Sequence, residues 1–409
     1  MAKKKSKGKF EFSKVGTILD GISEKTGITI EDSTNTSERE FLDTGIYILN
    51  ALLSKSILKG GLMSNRITAL AGPSGVGKSF IAYNICANAQ KAGYSIIYID
   101  TEQSIELSDM EAYGIDTSPD KCRLVRSNKV EDIKLFLTQM LDELKKAKLE
   151  GFDIDKMFIV LDSAGQLASN KEVDDAIAGK HKADMTRAKA IKSLFRIING
   201  DLGFLNIPLL VTNHTYLSMD LFPRPIMSGG TGLQYSASSI VFLSKAKLKT
   251  GDEDDLSTGQ SGIVVTAKAD KNRLAMPKKV KFEINFSTGC NRFKGLESFC
   301  TPENFDKVGI AKGKMEVDKS TGEMSFKPGG VRWYIRSLDK SVFSKQLHTK
   351  EIFTQEVLEA LDPIITKYFE YSDVDTMLET EKEFISKQDE HDDYQDVDDI
   401  DSADASMFE

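Results

Sequence analysis

A mixed α/β protein with a mostly parallel central sheet is the fold this 409-residue sequence predicts, and three observations carry that reading. Short apolar runs recur at Arg66–Ala71, Ser95–Asp100, Met157–Asp162 and Ile207–Thr212, each the length of a strand buried on both faces. Helical patterns alternate with them, as crossover connections require. The first run passes through a Gly-rich turn directly into a helix, which puts loop chemistry at the C-terminal edge of such a sheet.

In chain order, residues 10–45 are polar and Thr/Ser-rich, with a short helical pattern near Val15–Leu19. The helix after the Gly-rich turn is expected from Lys78 to Ala92, stopped by Gly93. Ile133, Phe136, Leu137, Met140, Leu141 and Leu144 share one face of a long amphipathic helix over 130–149. Another helix is expected around Met185–Ile198, followed by strands at Ser239–Ser244 and Gly262–Ala267. Val280, Phe282, Ile284 and Phe286 alternate with polar neighbours, the mark of a half-buried strand. Beyond about residue 296 the pattern weakens, with one helix-like stretch at Lys350–Leu361. The expected division is an N-terminal segment 1–44, a core 45–295, a small C-terminal domain 296–388 and a disordered acidic tail 389–409.

The formal net charge of −8 is unevenly distributed. Lys3, Lys4, Lys5, Lys7 and Lys9 crowd the first nine residues, and the last 21 carry ten acids without a Lys or Arg. With both ends set aside, residues 10–388 carry −3, so net charge excludes little about partners. No apolar run approaches the roughly 18–20 residues of a membrane helix, and no membrane association is expected. Cys86, Cys122, Cys290 and Cys300 lie far apart in sequence, which argues against a disulfide framework or zinc site and for a cytoplasmic location.

The sharpest motif is Gly72-Pro73-Ser74-Gly75-Val76-Gly77-Lys78-Ser79. Its glycines let backbone N–H groups curl around phosphates at the positive end of a helix; Lys78 adds a cation, and the Ser79 hydroxyl suits Mg²⁺. The chain is therefore expected to bind a nucleoside triphosphate. Asp162, at the tip of its apolar strand, is placed to hold Mg²⁺ through water. Asp100 and Glu102 end the strand after the phosphate-loop helix, where both carboxylates could face the γ-phosphate and Glu102 could reach a water. Asn213-His214 ends the next strand and opens a long segment containing Pro223, Pro225, Gly229 and Gly230; His214 is placed to sense the γ-phosphate. Ala267-Lys268-Ala269-Asp270 lacks the Asn of a guanine-reading N-K-x-D, so ATP is preferred. Lys180, Lys182, Arg187, Lys189, Lys192 and Arg196 suit a polyphosphate groove, although solvated helix faces often look alike. From spacing alone Lys271-Asn272-Arg273 reads as a solvated surface run.

Together these residues resemble the RecA recombinase family in order and spacing. Asp162-Ser163-Ala164-Gly165-Gln166-Leu167-Ala168-Ser169-Asn170-Lys171-Glu172, Asp184–Lys189, Lys192–Ile197 and Asn213-His214-Thr215-Tyr216 are most similar to its phage branch, the UvsX type. The likeness covers roughly residues 45–290. It implies a DNA-dependent ATPase that forms a helical filament of itself on single-stranded DNA and exchanges strands with a homologous duplex, in recombination, repair and recombination-dependent replication. It also implies a single-strand-binding protein and a mediator or loader as partners, and the cytoplasm of a host bacterium if the chain is phage-encoded. Residue by residue, it makes Glu102 the catalytic glutamate and His214 the switch, a Gln in bacterial relatives. Lys271 and Arg273 become cations that reach the ATP of a neighbouring subunit, and the N-terminal segment a protomer contact. Residues 172–184 and 215–232 correspond to the two DNA-contacting loops, with Lys180, Lys182, Arg187, Arg224, Gly229 and Gly230 as candidate contacts. These relatives stack a Tyr on adenine where this chain has Asp109, leaving Tyr113 as the substitute. The competing expectation is a RecA-like hexameric DNA helicase motor, which shares the phosphate loop and interface cations.

Overall fold

Apolar runs ending in polar tips set the architecture seen in the computed structural model, which describes residues 39–179, 186–249, 260–317 and 322–371. The chain divides into two units, Met1–Phe369 and Glu370–Glu409, and every element named here belongs to the first. The two charged ends and the Val15–Leu19 pattern lie outside the described residues.

A short ribbon of β1 (Phe41–Leu42) and β2 (Leu62–Met63) brackets α1 (Tyr47–Ser54), an apolar helix the sequence reading did not single out. Then come β3 (Ile67–Gly72), α2 (Lys78–Lys91), β4 (Ser95–Asp100), α3 (Leu107–Ala112) and β5 (Cys122–Arg126). They are followed by α4 (Val130–Leu149), β6 (Met157–Asp162), α5 (Asn170–Ile177) and α6 (Thr186–Leu205). Next are β7 (Leu209–Leu217), β8 (Pro225–Met227), α7 (Gly232–Ser236), β9 (Ser239–Lys249), β10 (Gln260–Asn272), β11 (Lys279–Asn285) and β12 (Gly289–Cys290).

These strands build a ten-stranded sheet in the order β12-β11-β10-β9-β3-β7-β6-β4-β5, with β8 hairpinned onto β7. From β9 to β5 the neighbours are parallel; β10, β11 and β12 add an antiparallel flank. Every residue of β3 is buried, and alternate residues feed opposite faces: Leu70 joins the layer with α2, while Ile67, Ala69 and Ala71 join the layer with α4 and α6. That is the double covering a parallel sheet needs. β9 and β10 run past their expected ends because Ser244–Lys247 leave the covered sheet as an exposed ribbon, where apolar patterning stops reporting on strands.

Beyond residue 296, α8 (Phe305–Val308) leads into the antiparallel sheet β13 (Ile310–Val317), β14 (Met324–Ile335) and β15 (Lys340–Val342), then α9 (Ser344–Leu347) and α10 (Gln355–Phe369). Leu296, Ile310, Trp333, Phe353 and Leu361 share one apolar cluster with Ile48, Leu52 and Phe282, so the expected boundary at 295/296 is crossed by common core. Asp362 fixes the join, accepting from Ser56 Oγ at 2.9 Å and from the Ile57 N–H at 2.7 Å. Among the described residues, no helix is long and apolar enough to cross a membrane.

Candidate nucleotide site and nucleic-acid interface

The C-terminal ends of β3, β4, β6 and β7 meet at one edge of the sheet, and each ends in chemistry. β3 delivers Gly72 and the loop that enters α2. Gly77 has φ +91°, and a Cβ there would lie 2.7 Å from Ile284 Cδ1, so conformation and space both select glycine. Lys78 Nζ donates to the carbonyls of Gly72 at 2.9 Å and Pro73 at 3.0 Å. Burial pulls its pKa below the ordinary range, against the attraction of Asp162 and Glu102. Lys245 Nζ braces the same loop from outside, donating to the Gly75 carbonyl at 2.8 Å.

At the tip of β4 the two carboxylates have separate jobs, which corrects the expectation that both face the γ-phosphate. Asp100 is buried, and its oxygens accept from the backbone N–H groups of Glu102 (3.0 Å), Gln103 (2.9 Å) and Ile105 (2.9 Å). It shapes the turn. Glu102, which that turn projects outward, meets His214 Nε2 at 3.0 Å, and Ser163 Oγ donates to the same Oε1 at 3.4 Å. Thr101 joins the tips of β4 and β6: its N–H donates to the Asp162 carbonyl and its hydroxyl to the Ser163 carbonyl. Asp162 is buried, accepting from Tyr98 OH at 2.8 Å on Oδ2 and from Thr212 Oγ1 on Oδ1.

β7 carries Asn213 and His214 out of the sheet and continues into a hairpin closed by β8. Asn213 Nδ2 donates to the Ser228 carbonyl at 2.9 Å, and the Ser228 N–H donates to the His214 carbonyl at 2.9 Å. The switch strand and the Gly229-Gly230 turn are thereby tied together. Gly229 and Gly230 have φ +85° and +79°, and they pass close over Ile191 and Ala188 of α6. The hairpin tip is apolar and unprotected: Met219, Leu221 and Phe222 are each at least 78% exposed, with Tyr216, Leu217 and Ile226 beside them. Arg224 is exposed in the turn just before β8.

The other predicted cations fall into three groups. Lys180 and Lys182 lie outside the described residues. The Arg187 guanidinium donates to the carbonyls of Leu167 and Gly165, anchoring the turn after β6 to α6. Lys271 and Arg273 lie toward the opposite end of β3 from its own phosphate loop: Lys271 pairs with Ile240, itself level with Ala69, and Arg273 follows Asn272, which pairs with Ser239, level with Thr68. Five residues of strand put Arg273 about 17 Å from the level of Gly72, and two strands displace it about 10 Å sideways. Lys271 Nζ donates to the carbonyls of Gln234 (2.9 Å) and Tyr235 (3.2 Å) in α7; burial and the charge of Arg273 lower its pKa. Arg273 is exposed.

Beside α2 a cavity of about 680 Å³ is lined by Phe80, Tyr83, Asp109, Tyr113, Phe286 and Cys290, among others. Tyr113 packs edge-on against Phe80 at 4.9 Å, and both line this space beside the first turns of α2. Phe286 and Cys290 were not foreseen, because they come from a turn far along the chain. Tyr98 and Thr212 were missed as well; the only available signal was a hydroxyl inside an otherwise aliphatic strand.

Comparison with known proteins gives this arrangement a family. Residues 23–291 match the RecA N-terminal domain. The chain is 29% identical over 297 residues to a recombination and repair protein of Enterobacteria phage T4, covering 70% of this chain and 71% of that protein. It is 27% identical over 255 residues to a mitochondrial DNA repair protein recA homolog of Dictyostelium discoideum, covering 61% of this chain and 52% of the relative. Similarity to protein RecA of Crocosphaera subtropica is 25% over 257 residues, covering 62% and 67%.

Proposed function

Because this chain belongs to the RecA family, we propose that it is an ATP-dependent recombinase, assembling as a helical filament on single-stranded DNA and exchanging that strand with a homologous duplex in recombination and repair. One observation carries the reading beyond family membership: the Glu102–His214 contact joins the edge that bears the phosphate loop to the strand that becomes the exposed apolar hairpin.

On this reading Lys78 and the backbone N–H groups of residues 74–79 bind the triphosphate. Glu102 orients the attacking water, and His214 senses the γ-phosphate. With His214 Nε2 engaged by phosphate, Glu102 is released toward water, and Asn213 and Ser228 carry the displacement to Gly229, Gly230 and the hairpin. Nucleotide state and DNA affinity are thereby coupled. Lys271 and Arg273, toward the opposite end of β3, complete the site of an adjacent subunit. The cavity with Tyr113 and Phe286 accepts the base. The hairpin's apolar side chains and Arg224 meet the unstacked bases and backbone of the single strand, giving little preference for sequence.

Mg²⁺ fits the donors present. The Ser79 hydroxyl and the Asp162 carboxylate are hard oxygen donors, and no cluster of three or more metal-ligating side chains exists among the described residues, which suits an ion held mainly by phosphates and water. Bound there, the ion would neutralise developing phosphate charge. A single-strand-binding protein and a loader are the expected partners, with the cytoplasm as the site of action.

The test combines ATP turnover with and without single-stranded DNA, joint-molecule formation with a homologous duplex, and electron microscopy of the complex with a non-hydrolysable ATP analogue. Helical filaments and strand pairing are expected. Closed rings that unwind a fork without pairing strands would move the assignment to a hexameric helicase.

A further inference from the structure

The sheet register places two hydroxyls on Asp162, one from each neighbouring strand. β6 lies between β4 and β7. Tyr98 pairs with Val160, two residues back from Asp162 on the same face, and its hydroxyl reaches Oδ2 at 2.8 Å. Thr212 follows Val211, the partner of Leu161, and its hydroxyl donates to Oδ1. Both donors are fully buried. The Tyr98 ring is held by packing against Tyr83 (centroids 5.6 Å apart), which packs on Tyr113 at the base cavity (5.0 Å). A ring fixed in this way can aim its hydroxyl in one direction only.

We infer that Tyr98, assisted by Thr212, is a positioning residue that orients the Asp162 carboxylate toward the Mg²⁺–nucleotide complex. The inference rests on the reading of Asp162 as the residue that serves that complex through water. Each carboxylate oxygen has further lone pairs, so accepting one hydroxyl leaves it able to accept from a metal-bound water. With two fixed donors, the carboxylate cannot rotate away when the ion and its water shell arrive. A phenylalanine would fill the same space and lose only the donor.

The experiment is calorimetric titration of a non-hydrolysable ATP analogue, without DNA, in Mg²⁺ and again in EDTA. Tyr98→Phe should leave the EDTA affinity unchanged and reduce the Mg²⁺-dependent gain about tenfold, the scale of a lost hydrogen bond to a charged group. Thr212→Val should move the gain in the same direction, and Thr212→Ser should restore it, a split that simple loss of packing does not produce. A Mg²⁺ gain equal to wild type in both Tyr98→Phe and Thr212→Val overturns the inference while leaving the nucleotide site intact. If Tyr98→Phe does not fold, the Thr212→Val and Thr212→Ser pair decides in the same way. Absence of any Mg²⁺ gain in the wild-type protein overturns the reading of Asp162 itself, and the inference with it.

Discussion

The two halves of β7 live under opposite rules. From Leu209 to Asn213 every residue is buried, and side-chain donors at the sheet edge are bound to fixed partners: the Thr212 hydroxyl to Asp162, the Asn213 Nδ2 to Ser228. From Tyr216 onward the strand carries apolar side chains into solvent with only the β8 ladder for support. His214 stands between them. The first half is organised before any ligand arrives, as chemistry on a phosphate requires. The second half leaves apolar surface uncovered, which is costly in isolation and useful where a partner with flat, variable faces is to be gripped.

The largest test of that contrast concerns whether the organised edge is complete within one chain. Arg273→Ala should lower DNA-stimulated ATP turnover by about 10³ or more if it acts in trans as an arginine finger. Mixing Arg273→Ala with Lys78→Ala should recover part of the turnover in mixed assemblies, whereas no recovery places the cation's role within its own subunit. Next in size, Glu102→Gln should cut turnover about 10²–10⁴-fold while retaining ATP and DNA binding; full activity removes Glu102 from the water-orienting role. On the exposed side, Leu221→Ala with Phe222→Ala should weaken single-strand binding about tenfold in fluorescence anisotropy, on the scale of a lost stacking platform. Unchanged affinity would mean that the hairpin grips something other than bases. The smallest effect is expected from removing residues 389–409: duplex affinity should rise a few-fold, and only at low salt, if that polyanion competes for the same cations.

Much of the organised edge was readable because phosphate chemistry dictates spacing. Gly72–Ser79 has one workable pattern, and Asp162, Glu102 and His214 each follow an apolar run that marks a strand tip. Its supports were not readable. Asp100 resembles a second catalytic acid until three N–H groups are seen on it, and Tyr98 looks like ordinary core until the β4–β6 register brings its hydroxyl to Asp162. Arg187 reads as a nucleic-acid contact from its helical spacing, but its guanidinium donates to two carbonyls of the neighbouring turn. β8 was hidden by Pro223 and Pro225, residues that normally argue against strands yet are tolerated in a two-stranded edge ribbon. The β13–β15 sheet was obscured by its exposed positions and by Gly329-Gly330, which break the alternation on which strand reading depends.

The separation of Arg273 from its own phosphate loop has a consequence for direction. If the cations serve a neighbour, a row of subunits cannot have equivalent ends. One terminal subunit displays a phosphate loop that no cation reaches, and the other displays Lys271 and Arg273 with no triphosphate to meet. Hydrolysis then falls silent at one end only, and a newcomer bearing ATP is bridged immediately at one terminus but not at the other. Growth and loss would differ between the two termini, giving the assembly a built-in arrow from the placement of two side chains along one sheet.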